Sequence, residues 1–150
     1  MNWKIVVVGG LVFFVVTWIV GFGTGPLIHE GVLKDSYVAN SQFWVPALNQ
    51  DPPDMAALLP QWIGFGLLTS LLYAGLYGVY RSALSGPPWK KGLVFGLTLA
   101  LVQCALTLGW SVVFNLPSKI WIWWSLEGFL YFLIGGAALG WVAHKLAPEG

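Results

Sequence analysis

The chain has 150 residues, 57% of them hydrophobic and only 9% charged, with a net charge of +1 at pH 7. A soluble domain clothes its surface with about 25% charged residues, so the solvent for this chain is lipid. The near-neutral balance, with no run of Lys and Arg of the kind that tracks a phosphate backbone, excludes nucleic acid as a partner.

From Ile5 to Ile28 there is no charge. A hydrocarbon core takes about 20 residues to cross, and the first predicted span covers residues 4–24. Gly21-Phe22-Gly23-Thr24-Gly25-Pro26 should fray or break it, because glycine and proline are poor in helix interiors. The same glycines resemble signal-peptidase sites, but the apolar run is long for a signal peptide, and the segment reads as a span. A connection over residues 26–55 follows. Loops of this length pack as lids, bind something or are disordered, and Phe43 and Trp44 argue for a structured one. Asp51-Pro52-Pro53-Asp54 stops it and offers Asp54 as the N-cap of the next helix.

The second predicted span covers residues 57–80 and the third residues 92–115, with Leu116-Pro117-Ser118 as a tight turn into the fourth, residues 120–144. That last span has Trp121, Trp123 and Trp124 at one interface and Trp141, His144 and Lys145 at the other, as aromatic belts require. Lys4, Arg81, Lys90, Lys91 and Lys145 fall on one side of the spans, against Lys34 and Lys119 on the other. The positive-inside rule then puts both termini in the cytoplasm. The fold class is all-α: one polytopic membrane domain of four transmembrane helices, with a long structured outer loop between the first two. A bacterial cytoplasmic (inner) membrane is the expected location.

Glu127 is the one charge inside the last span. A carboxylate at membrane depth costs about 2.5–3.5 kcal/mol on insertion scales and is a functional hypothesis by default. Gln103, Thr107, Ser111 and Asn115 recur at i+4 on the third span, so they share one slowly drifting face. That stripe is expected to meet Glu127, with Tyr131 one turn away extending the network. Glu127 then either exchanges a proton or binds a cation, or fixes helix register through hydrogen bonds.

His29 and Glu30, with Glu127, offer three groups of zinc-binding type. The HE dipeptide is not HExxH, since Leu33 stands where the second histidine belongs. The two histidines, His29 and His144, lie near opposite interfaces, and neither sits mid-membrane where a bis-histidine pair would hold a b-type haem within the chain. The single cysteine, Cys104, forms no intrachain disulfide and reads as buried small filler. No catalytic motif occurs and no cofactor is indicated.

Gly92 with Gly96, Gly136 with Gly140, and Gly75 with Gly78 form small faces that admit close helix contact. Four helices have many such faces to bury. Some are therefore expected to meet other membrane subunits or a second copy of the chain.

The MNW start, the Gly/Pro-broken end of the first span and WIWWSLEGFLYFLIGGAALGW together resemble a family of small bacterial four-helix membrane proteins catalogued as a domain of unknown function. An acid before an aromatic and then a Gly/Ala run mark that family's last helix, which Glu127, Tyr131 and Gly135 to Gly140 match. The family usually has aspartate where Glu127 stands, and the long first loop departs from its spacing. The resemblance implies the fold and no activity. The function expected first is a non-catalytic accessory or assembly subunit of a larger membrane complex. A small transporter or channel component using Glu127 comes second, and a membrane metal protein or enzyme at His29, Glu30 and Glu127 third.

Overall fold

A computed structural model describes residues 2–148, and all regular structure among them is helical. Four helices are long and apolar enough to cross a membrane, which makes the chain an integral membrane protein. They are α1 (Ile5–Val32), α3 (Met55–Tyr80), α4 (Pro88–Trp110) and α5 (Ser118–Leu146). A short helix, α2 (Lys34–Ala39), and 3₁₀ turns at Ser41–Phe43 and Pro46–Asn49 fill the connection before α3. Asp54 caps α3, its Oδ1 accepting from the Ala57 N–H at 3.2 Å.

Two boundaries differ from the expectation. α1 does not break at Gly21 to Pro26: Gly10–Gly25 is α-helical and runs straight into π-helical turns over Pro26–Val32. Proline lacks an N–H and its ring crowds the preceding turn, and a π turn, whose bonds reach one residue further, makes room for it. The connection therefore starts after Val32. α4 begins at Pro88, a residue suited to a first helical position, and ends at Trp110 rather than near Asn115. There the Ser111 hydroxyl donates to the Leu108 carbonyl at 2.6 Å, an alternative to continued helix. Pro117 in turn disfavours a helical Leu116.

The helices pack in the order α4, α5, α1, α3. Between α4 and α5 backbone meets backbone. A Cβ on Gly92 would lie 2.2 Å from the Gly136 carbonyl oxygen, and one on Gly96 2.2 Å from that of Phe132. A Cβ on Gly140 would lie 2.4 Å from the Pro88 carbonyl oxygen. Any side chain there would force the helices apart, and small residues are what permit the approach. Gly75 and Gly78 rest at 3.8 and 3.6 Å, by the same measure, from Val6 and Ile5 of α1. All six glycines read from the sequence thus face neighbours within the chain.

α3 joins the bundle along one helical stripe, Ser70, Ala74 and Tyr77. Its apolar window is only 6% buried, against 33% for α5, so α3 is the peripheral helix. At the end where α1 begins and α5 finishes, Tyr77 packs on Phe95 of α4 at 5.3 Å between ring centroids. There the Arg81 guanidinium donates to the carbonyls of Ala143 and Ala147, at 3.1 and 2.8 Å, and so caps α5.

Candidate functional site

The polar focus lies toward the opposite end, where α1 leaves the bundle. Glu127 is 5% exposed and lies about 13 Å along α5 at 1.5 Å per residue. Both its carboxyl oxygens are engaged by α1. The Thr24 hydroxyl donates to Oε1 at 2.6 Å, and Nε2 of His29 lies 2.9 Å from Oε2. Tyr131 brings its hydroxyl toward the same carboxylate from one turn away on α5.

Thr24 and His29 are five residues apart. On an α-helix they would point about 140° away from each other, at 3.6 residues per turn. A π turn is wound more loosely, with bonds from i to i+5, so residues five apart diverge less than they do on an α-helix. The π turns at Pro26–Val32 therefore bring hydroxyl and imidazole onto one carboxylate. Pro26, which looks like a helix stop in the sequence, marks the start of the segment that aims His29.

The contacts continue outward from His29. Its Nδ1 lies 2.7 Å from the Tyr37 hydroxyl, and the two rings stack at 5.9 Å. The indole N–H of Trp124 donates to that hydroxyl at 2.8 Å, and the indole N–H of Trp44 to the Tyr37 carbonyl at 2.8 Å. Ile28, Leu33 and Ile120 form a buried apolar base under this roof. Burial pushes the Tyr37 phenol up to about 12; the Trp124 hydrogen bond opposes the rise and the charge of Glu127 adds to it. Tyr37 therefore stays a neutral phenol, able to donate or accept.

Proton directions follow from the ends of the chain of contacts. Indole N–H only donates and carboxylate only accepts. With Trp124 donating to Tyr37, the phenol can donate to Nδ1 of a neutral imidazole, whose Nε2–H then points at Glu127. Protonating the imidazole needs one hydroxyl rotation, after which Tyr37 accepts from Nδ1. The histidine side chain is 39% exposed while that of Glu127 is 7% exposed, so the imidazole is the member of the pair that reaches the surroundings.

The sequence-derived site is regrouped accordingly. The α4 stripe does not bond Glu127: Gln103 donates to Thr107 at 3.0 Å, and Ser111 and Asn115 lie past the end of α4, exposed. Glu30 is exposed and outside the cluster, and no group of three metal-ligating side chains occurs among the described residues. Both ring nitrogens of His29 are engaged, so a metal would have to displace Glu127 or Tyr37. Thr24, Tyr37 and Trp44 join the site without having been singled out for it; the pairing of Thr24 with His29 needs a π turn that α-helical periodicity does not include.

Beside Tyr131 an apolar groove of about 250 Å³ runs between α1, α3 and α5, lined among others by Trp18, Gly66, Tyr73 and Phe132. Phe13, Tyr73 and Phe132 pack edge to face and tilted, at 5.5 to 6.2 Å, beneath it. No protein-family model matches the chain, and neither curated proteins nor solved structures contain a significant match to it.

Proposed function

We propose that this chain is a small transporter or channel component whose activity turns on proton uptake by the Glu127–His29 pair. One observation carries the reading: a buried carboxylate bonded to a part-exposed imidazole, which is bonded in turn to a tyrosine outside the spans. Ionisable groups at membrane depth mark ion and proton pathways, and histidine is the side chain that changes charge near neutral pH. With the imidazole neutral and the carboxylate ionised the pair carries one negative charge. One bound proton cancels it.

The positive-inside distribution supports an orientation with Lys4, Arg81, Lys90, Lys91 and Lys145 in the cytoplasm. In that orientation His29 faces out, and the Phe13–Tyr73–Phe132 packing lies between the pair and the cytoplasm. A bacterial inner membrane suits this arrangement.

The test is proton flux into vesicles that hold the purified protein and a pH-sensitive dye, driven by an imposed membrane potential. Wild-type vesicles should acidify above protein-free controls, and Glu127→Gln, which keeps the shape and loses the titratable oxygen, should fall to the control rate. Equal rates for wild type and Glu127→Gln would sink the proposal.

An accessory subunit is the second reading, favoured by one observation: α3 is nearly bare on its outer faces. The glycine faces no longer argue for it, because they are used inside the chain. A stoichiometric larger complex on gentle extraction from the native membrane would support it.

A further inference from the structure

The groove between α1, α3 and α5 takes no part in the proton reading. Its walls include Phe14 and Trp18 of α1, Ser70 and Tyr73 of α3, and Phe132 of α5. These positions fall near the middle of their spans, where a bilayer offers no water to satisfy a polar group.

Three polar groups of the lining residues have no hydrogen-bond partner among the described residues: the Ser70 hydroxyl, the Tyr73 hydroxyl and the indole N–H of Trp18. Ser70 is only 4% exposed. Thr17 and Thr69, on the same walls, show the contrast. Their hydroxyls donate to the Phe14 and Phe65 carbonyls at 2.9 and 2.7 Å and are satisfied within their own helices. A buried hydroxyl without a partner is costly, and a bound acceptor would recover that cost. The Trp18 nitrogen faces the Gly66 wall, 3.6 Å from where a Cβ would stand. Indole N–H only donates, so the partner it lacks is an acceptor.

The remaining surface says what carries that acceptor. Seven of the eleven lining residues have aromatic rings. Such rings favour offset or edge-to-face contact with another flat ring, a preference that an alkyl chain does not meet. An apolar cavity of about 150 Å³ takes benzene, and this groove, at about 250 Å³, has room for a substituted ring.

We propose that the groove binds the ring of a lipid-soluble quinone, whose carbonyl oxygens accept from these donors. Pockets between bundle helices, apolar with a few placed polar groups, suit ligands of this kind. The inference concerns binding alone and is independent of proton uptake at Glu127.

The test is equilibrium binding of duroquinone, a fully methylated quinone ring without a chain, to the full-length protein in detergent micelles, with protein-free micelles as the blank. Duroquinone should bind saturably. Durene, a methylated benzene without the carbonyls, should bind at least about fivefold more weakly, the worth of one ordinary hydrogen bond. Ser70→Ala and Tyr73→Phe each delete a hydroxyl that holds no protein group, so both should melt near wild type. Each should weaken duroquinone binding about fivefold on the same scale.

Weakening in one variant alone would support the site and assign the bond to that hydroxyl. Equal affinity for durene and duroquinone, or affinity unchanged in both variants, would overturn the proposal. So would displacement of duroquinone by farnesol, an isoprenoid chain without a ring, since the groove would then be a slot for an alkyl chain.

Discussion

The two halves of α5 are built on opposite plans. At Gly136 and Gly140 the helix has no side chain, and α4 lies against its backbone with oxygens of one helix where Cβ atoms of the other would be. Around Glu127 the helix reaches out with polar side chains and meets α1 through hydrogen bonds, above the apolar base of Ile28, Leu33 and Ile120. The glycine half is fixed by shape, the Glu127 half by chemistry. Shape of this kind has no alternative arrangement at similar energy. A hydrogen-bonded cluster does have one, because a hydroxyl can rotate and a proton can change owner. The comparison places the close-packed contact in the seam and the proposed proton uptake in the cluster.

Breaking the seam should have the largest effect. Gly92→Leu puts a branched side chain where a Cβ alone would already lie 2.2 Å from the Gly136 carbonyl oxygen and 2.7 Å from the Gly140 Cα. Backbone cannot step aside as a side-chain tip does, so the helices must separate, at a cost of about 3 kcal/mol or more. Thermal unfolding in detergent should show the variant melting far below wild type, if it folds at all. A melting temperature within a few degrees of wild type would mean that the seam is not the stabilising contact.

Sharpening the cluster requires a change that moves His29 without touching it. Pro26→Ala restores an N–H and removes the ring that the π turns accommodate. If α1 then closes to α-helical pitch, residues five apart diverge by about 140° and His29 leaves the carboxylate. Proton uptake in vesicles should drop severalfold, while the melting temperature stays near that of wild type or rises, since alanine favours helix. Loss of stability with uptake intact would reverse the assignment of α1's pitch to function.

These two sites also differ in how far the sequence discloses them. The four spans were legible because hydropathy and length alone decide them, and Asp54 was legible as a cap because capping is local. Glu127 stood out as a single charge in an apolar helix. Of its partners, Tyr131 was named from its spacing and His29 only as a candidate metal ligand with Glu30, while Thr24 and Tyr37 went unnamed, because glycine and proline propensity reads Gly21 to Pro26 as a stop and α-helical pitch puts His29 off the Thr24 face. The Gln103–Asn115 stripe failed for a related reason. Its i+4 spacing is real only while the helix lasts, and α4 ends at Trp110, before two of its members. The glycine pairs announced close packing but not their partner, since GxxxG fits any smooth helix, in the same chain or another.

The smallest effect concerns the roof of the cluster and is read through pH. Burial, aided by the charge on Glu127, holds the Tyr37 phenol up to about 12, against about 10 for a free tyrosine. Below about pH 10 the phenol is neutral in both folded and unfolded chains, and the shift has no consequence for stability. Between about pH 10 and about 12 the unfolded chain loses this proton while the folded one keeps it, so the folded state loses ground as pH rises. Tyr37→Phe removes that dependence and also the hydroxyl that links His29 to Trp124. The variant should be less stable than wild type at about pH 9, by about 1 kcal/mol for the lost hydrogen bonding. Its further decline toward about pH 11 should be shallower, because no phenol at this position ionises. Parallel unfolding curves for the two proteins across that interval would show that Tyr37 is not held neutral by the fold. It would then lose its role as the hydroxyl that reverses direction when His29 takes up a proton.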